Sequence, residues 1–346
     1  MPKTQHILVI RLSAMGDVAM TVPILRALIA QHPNTKITML SKGHLAPVFE
    51  PLKSVSFFEA DVQGKHKGFL GLWKLFRQLQ REDITHIADL HNVLRSKVLR
   101  FFFNLSGIKV AHVDKGREEK KALTRVNNKI FKPLKTTFQR YSDVFNSLGF
   151  PVDISTPIAI EKKELSDKIK SITGKRTTKK WLGVAPFAQY DSKTYPLDLM
   201  EEVLKNLSLH YQLFLFGGGK KEIDILTKIE KNFPHTICIA GKMNLSEELE
   251  LIANLDLMLA MDSSNAHFAA MQQIKTITIW GVTHPYAGFA PFNQPADYCI
   301  LPDLKCYPNI PCSVYGNKVC AGYESAMRSI DPATIVQKII DVLTDN

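Results

Sequence analysis

One pattern constrains this chain more than any other: short apolar runs, each closed by a small or polar residue, alternate with helical patterns. Residues 6–11 read as a strand and 18–31 as a helix. "KITML" (36–40) is the next strand, with a helix near 43–51. The amphipathic stretch "WKLFRQLQ" (73–80) precedes a strand at "HIADL" (86–90). "VLRSKVLRFFF" (93–103) is helical, and "KVAHV" (109–113) is a strand again. Strands and helices in this order predict a parallel sheet covered on both faces.

Between about 151 and 180 the pattern loosens. "KKELSDKIKSITGKRTTKK" is polar, lysine-rich and short of core residues, which reads as a linker with a short helix. A second series then begins, with strands in "WLGVAPF" (181–187), "YQLFLFGGG" (211–219), "TICIAG" (236–241), "LDLMLAMD" (255–262) and "KTITIWG" (275–281). Residues 331–344 predict a final helix with Asp331 as N-cap and Pro332 at its first position. The predicted organisation is therefore α/β and doubled. A first doubly wound domain covers 1–155, a linker 156–180, a second doubly wound domain 181–330 and a closing helix 331–346. Two such halves predict a ligand cleft between them.

The 346 residues carry a formal charge of +11. A charge of that size fits an anionic partner: nucleic acid, an acidic membrane surface or a phosphorylated substrate. It equally fits a solvated basic surface. No signal peptide stands out, because the apolar run 7–10 is short and Arg11 interrupts it. No run of about 18 apolar residues exists to span a bilayer. These features predict a cytosolic protein that at most lies on a membrane. Of the five cysteines, Cys299, Cys306, Cys312 and Cys320 cluster near the C-terminus while Cys238 stands apart. They lack a tight Cys-x-x-Cys pair, and in a reducing compartment they predict a loop with free thiols rather than a zinc site or disulfides.

Three loops carry the candidate chemistry. "AMDSSNAHFAAM" (260–271) follows an apolar strand and opens a helix. The backbone N–H groups of Ser263, Ser264 and Asn265 would point at an anion, most simply a diphosphate, unless the three serve only as caps. Asp262 stands at the strand end and His267 about one turn into the helix. Gly217, Gly218 and Gly219 form a second loop, which could bring a nucleotide against the backbone or simply make a tight turn. Lys193, in the loop after 181–187, could neutralise a diphosphate leaving group as a point charge.

In the first half, "RLSAMGDVAMTVPIL" (11–25) places one glycine, Gly16, and one carboxylate, Asp17, where such a fold usually cradles a phosphate. A carboxylate repels phosphate, and the G-x-G-x-x-G spacing is missing. If phosphates bind the second half, Asp17 is left to accept a proton from an attacking hydroxyl; an ordinary N-cap is the competing reading. Residues 109–140 hold ten lysines and arginines against three acidic residues, with Arg95 and Lys97 just upstream. This reads as a basic flap on the first half, suited to an anionic acceptor at a membrane or merely to solvent. Few aromatics interleave, which disfavours single-stranded nucleic acid.

Together these stretches resemble glycosyltransferase family 9, the bacterial heptosyltransferases. "ILVIRLSAMGDVAMTVPILRAL" resembles the family's strand–"GD"–helix unit, and "ADLHNVLRSKVL" with "SGIKVAHVDKGREEK" its acceptor region. "AMDSSNAHFAAMQQIKTITIWGVTHP" resembles its nucleotide-sugar motif. The resemblance implies a GT-B fold, two Rossmann-like domains facing across a cleft with the donor held mainly by the second. It implies an inverting, metal-independent transfer of heptose from ADP-heptose to an anionic, lipid-linked inner-core acceptor. No cofactor is implied beyond the nucleotide sugar itself, and no nucleic acid. Peripheral association with the cytoplasmic face of the inner membrane follows. The chain contains no Asp-x-Asp, in keeping with a metal-independent reaction.

Position by position, the resemblance implies Asp17 as base, Lys193 against the donor diphosphate, and Asp262 beside the donor sugar with His267 in the same motif. It puts Lys242 and Met243 near the adenine, and Glu222 at the ribose. Arg95, Lys115 and Arg117 fall on the acceptor side with Gly16. The family usually has glycine where this chain has Ser264, and Ala326 stands where some members have a further cysteine. Two alternatives remain: another GT-B enzyme with a different nucleotide sugar or glycan acceptor, and a non-enzymatic basic adaptor on anionic lipid or nucleic acid.

Overall fold

The computed structural model describes residues 5–162 and 164–344. They divide into two compact units, one of residues 5–116 and 135–159, the other of 117–134 and the described residues from 160 to 344. In the first unit the chain runs β1 (His6–Ile10), α1 (Met15–Ala19), α2 (Thr21–Gln31), β2 (Lys36–Ser41), β3 (Val55–Glu59), α3 (Gly68–Leu79), β4 (His86–Asp89), α4 (Leu94–Leu105) and β5 (Lys109–His112). Helix α5 (Arg117–Thr124) belongs to the second unit, and α6 (Thr137–Leu148) returns to the first. The second unit continues with α7 (Asp167–Thr173), β6 (Trp181–Ala185), α8 (Leu197–Ser208), β7 (Gln212–Leu215), α9 (Lys220–Asn232), β8 (Thr236–Cys238) and α10 (Leu245–Ile252). It closes with β9 (Leu257–Met261), α11 (Ser264–Met271), β10 (Lys275–Ile279), β11 (Cys299–Ile300) and α12 (Pro332–Thr344).

Both sheets are parallel throughout, in the orders β3-β2-β1-β4-β5 and β11-β10-β9-β6-β7-β8. The central strands β1, β6 and β9 are buried along their whole length, because helices cover both faces. In each sheet the strand order reverses beside the first strand: between β1 and β4, and between β6 and β9. Loops leaving such a pair diverge to opposite sides, and the opening at the carboxyl ends is where α/β sheets bind ligands.

Local chemistry explains the helix ends. Thr136 caps α6 by accepting from Gln139 N at 3.1 Å while the Gln139 amide accepts from Thr136 N at 2.8 Å. Gly149 closes that helix at φ +96, a conformation few other residues adopt. Asp331 caps α12 by accepting from Ala333 N at 2.8 Å, as its position before Pro332 implies.

Two expectations change. The basic stretch 109–140 is not one flap on the first half, because residues 117–134 pack with the second unit. There Leu134 N donates to Tyr286 O at 2.9 Å, and Lys129 Nζ donates to Asn309 O at 2.6 Å. Phe131 also stacks with His284 and Tyr286, each ring centre 5.0 Å away, which gives the stretch an apolar anchor. The cysteine loop is not wholly reduced: Cys312 and Cys320 form a disulfide, leaving Cys238, Cys299 and Cys306 free. The turn at Gly316, with φ +86, folds the loop back until the two Cα atoms lie 5.4 Å apart, inside the range a disulfide spans.

Candidate functional site

In the first unit the candidate residues gather at the reversal between β1 and β4. Apolar β1 ends and the chain immediately presents Arg11, whose Nη1 donates to Leu90 O at 2.7 Å. Its Nη2 pairs with Asp17 Oδ2, and the same oxygen accepts from Ala14 N at 3.3 Å. Asp17 therefore does cap the start of α1. Among the described residues every polar contact of its carboxylate falls on Oδ2, so Oδ1 stays open. The side chain is 28% exposed, against 8% for Arg11. Burial opposes the Arg11 charge, but the neighbouring carboxylates of Asp17 and Asp89 favour it, and its pKa is raised. Burial holds Tyr141 as a neutral phenol, and its hydroxyl reaches Asp17 O at 3.5 Å.

The loop after β4 completes this corner. Asp89 is fully buried against Arg100 Nε at 3.1 Å and accepts from His91 N at 2.9 Å and Asn92 N at 2.8 Å. His91 lies beneath the 11–17 loop, taking Leu12 N on Nδ1 at 3.4 Å and facing Ser13 Oγ from Nε2 at 3.5 Å. Burial first, then the charges of Arg11 and Lys115, push its pKa down to about 3. The native state thus excludes a proton that the unfolded chain takes up at an ordinary pKa of about 6.5. Stability contributed by neutral His91 is present above that value and is lost as pH falls from there towards 3. The expected slope approaches about 1.4 kcal/mol per pH unit. Denaturant titrations at a series of pH values should show this acid limb, and His91→Asn should flatten it.

Of the residues expected on the acceptor side, Gly16 and Lys115 belong to this corner, Lys115 through its effect on His91. Arg95 is exposed at the start of α4, just beyond the Asp89 turn. Arg117 opens α5 and belongs to the second unit. Arg11, Asp89, His91 and Tyr141 were not predicted as site residues. The signal for the first three was available, since each lies at the carboxyl end of a buried strand; Tyr141 lies on α6, which no pattern above marks.

In the second unit the candidates line the carboxyl edge of the sheet. Lys193 follows β6 and Asp262 follows β9, the two strands at the reversal. Lys193 Nζ donates to Asp262 O at 2.7 Å and to Asp262 Oδ2 at 3.2 Å, and Thr283 Oγ1 donates to the same carboxylate at 2.9 Å. Two of the three ammonium donors are thereby used and one remains. Close packing holds the lysine: a Cβ on Gly316 would meet Lys193 Cγ at 2.6 Å, and one on Gly281 would meet Ser192 O at 2.1 Å.

Ser263 caps α11 with extended backbone, and its hydroxyl is buried without a hydrogen-bond partner among the described residues. The first-turn N–H groups beyond it have no acceptor within their own helix. Ser264 and Asn265 are half-buried at this end, and His267 is buried in the first turn. This corner can hold an anion.

Farther along the edge, Glu222 Oε2 accepts from Gly218 N at 2.8 Å, tying α9 to the glycine loop. A Cβ on Gly217 would meet Leu226 Cδ1 at 2.8 Å, so tight packing accounts for that glycine. Lys242 pairs with Glu230 at 3.2 Å, and Met243 beside it is half-buried. Following the strand order β9-β6-β7-β8, the loops run along one edge as 262–267, 193, 217–222 and 242–243.

Residues 72–317 match the model of glycosyltransferase family 9 (heptosyltransferase). The chain belongs to this family. It is a glycosyltransferase, with the two parallel-sheet α/β domains of the GT-B fold. Among characterised family members it is 26% identical to lipopolysaccharide core heptosyltransferase OpsX of Haemophilus influenzae, over 83% of this chain and 81% of that one. It is 23% identical to lipooligosaccharide heptosyltransferase 2 of Campylobacter jejuni, over 94% and 95%. Among solved structures, a family 9 glycosyltransferase from Veillonella parvula superposes with TM-score 0.76 at 18% identity, over 99% of this chain and 98% of that one. The E. coli heptosyltransferase WaaC with ADP superposes with TM-score 0.69 at 15% identity, over 98% and 100%.

Proposed function

We propose that this chain transfers heptose from ADP-heptose to a hydroxyl of a lipopolysaccharide inner-core acceptor, with inversion, without a metal, at the cytoplasmic face of the inner membrane. The acceptor hydroxyl attacks the anomeric carbon of the donor, the bond to the ADP oxygen breaks, and the hydroxyl proton passes to Asp17 Oδ1. Lys193 and the first turn of α11 meet the charge that builds on the departing diphosphate. Asp262 and His267 lie beside the donor sugar, Glu222 offers its second oxygen to the ribose, and Lys242 with Met243 borders the adenine. In the loop that begins at Gly217, the open Gly218 and Gly219 let the nucleotide lie close to the backbone. Gly16, Arg95, Lys115 and Arg117 serve the anionic acceptor.

The observation that carries this reading is the Lys193–Asp262–Ser263 corner at the strand reversal of the second sheet, in a family 9 chain. One relative of this fold, the E. coli heptosyltransferase WaaC, was solved both with ADP and with ADP-2-deoxy-2-fluoro heptose. The test is nucleotide selectivity in the melting temperature. A ligand at one hundred times its Kd stabilises by about 2.7 kcal/mol through mass action. ADP should raise Tm while UDP and GDP leave it in place; a shift with UDP or GDP alone would assign another donor. Transfer from ADP-heptose should also persist in EDTA.

A further inference from the structure

Helices α3 and α4 pack side by side in the first unit; apart from Arg95, Lys97 and Arg100 on α4 they carry none of the residues discussed above, and their outer faces are not polar. Phe69, Leu70, Trp73, Leu94, Phe101 and Leu105 are all exposed, Leu70 by 81% and Leu94 by 79%. Leu94, Phe101 and Leu105 fall on one stripe of α4, at helical spacings of seven and four residues. Phe69 and Trp73 share one stripe of α3 and close on buried Phe102, at ring-centre distances of 5.5 and 5.0 Å. Phe101 joins them at 5.9 Å from Phe102. Exposed apolar side chains gathered on one water-facing surface in this way mark an interaction site.

Its charge identifies the partner. Residues 62–81 and 90–113 contain nine lysines and arginines and no aspartate or glutamate. Lys65, Lys67, Lys74, Arg77 and Lys97 are exposed on or beside the two helices. Aromatic rings and leucines in the middle, with long-stemmed cations around them, match the boundary between acyl chains and anionic headgroups. We propose that the outer face of α3 and α4 is the surface by which this enzyme docks on an anionic lipid bilayer, with Phe69, Leu70, Trp73, Leu94 and Phe101 entering the headgroup layer. This rests on the reading of the substrate as lipid-linked, and it adds which face of the protein meets the lipid.

Tryptophan emission tests it directly, because Trp181 and Trp280 are each 1% exposed and Trp73 alone of the three faces water. With phosphatidylglycerol vesicles, Trp73 emission should shift to the blue and be quenched by brominated lipid; phosphatidylcholine vesicles should do neither. The triple variant Leu70→Ser, Leu94→Ser, Phe101→Ser, and separately Lys67→Glu with Lys74→Glu, should each lose about tenfold or more in vesicle partitioning. These positions are exposed, so Tm should hold, and transfer to a delipidated, water-soluble acceptor should proceed at the wild-type rate. Absent partitioning of the wild-type chain, or partitioning indifferent to both variants, overturns the proposal. So does a vesicle-independent dimer that the triple variant dissolves, which would assign the face to a second copy. Vesicle binding with no transfer from ADP-heptose would support the docking face and sink the functional reading instead; normal transfer without vesicle binding would do the reverse.

Discussion

Asp17→Asn is expected to lower kcat by about 10²–10⁴-fold, the range a positioned general base contributes. Asparagine keeps the size and an acceptor oxygen, so Ala14 N retains a partner, but the amide cannot take the proton. A second carboxylate, Asp89, also acts on Arg11, yet it is fully buried and occupied by Arg100 and two backbone N–H groups. Asp17, with Oδ1 open, is the carboxylate of this corner that can meet an acceptor. The substitution also removes the charge facing Arg11, a guanidinium only 8% exposed. A loss of about 1–3 kcal/mol of stability should accompany it. Melting curves separate the two effects: a folded variant with an ordinary rate rejects Asp17 as the base.

Lys193→Met is expected to cost about 10²–10³-fold in kcat, as when one preorganised donor to developing charge is removed. ADP affinity should fall with it. The pairing with Asp262 sharpens this expectation. Without the ammonium, the Asp262 carboxylate keeps Thr283 but faces the diphosphate as an uncompensated negative charge. The double variant Lys193→Met with Asp262→Asn should therefore recover part of the ADP affinity that the single variant loses. Lys193→Arg should not restore the rate, because the stem is packed against Gly316 and a planar fork cannot reproduce the point charge. Calorimetric ADP titrations with single-turnover rates measure both quantities; unchanged values in Lys193→Met would exclude the lysine from the leaving-group site.

Both halves of the fold could be read from the chain because continuous apolar runs such as "HILVI" and "LMLAM" belong to strands buried on both faces. Strand β3 escaped that reading, since "VSFFE" is only half-buried at the sheet edge. Helix α6 went unread: its first four residues fall at the end of a stretch read by its charge and the rest lie beyond it, although Phe138, Tyr141, Val144, Phe145 and Leu148 form its buried stripe. The helix read across 18–31 is broken at Met20 into α1 and α2.

The candidate site divides in the same way. That Asp17, Lys193 and Asp262 stand at strand ends, and that loops there carry chemistry, was determined by the chain itself, because strand and turn patterns are local. Partnership was decided by the tertiary structure. Lys193 meets Asp262 across 69 positions, and Leu12 meets His91 across 79. Residues 117–134 join the second unit and Cys312 reaches Cys320 for the same reason. Periodicity and propensity act over a few residues and so appear in the sequence. Sheet order, which makes β1 a neighbour of β4 and β6 a neighbour of β9, comes from burying whole faces at once and leaves no mark at any single position.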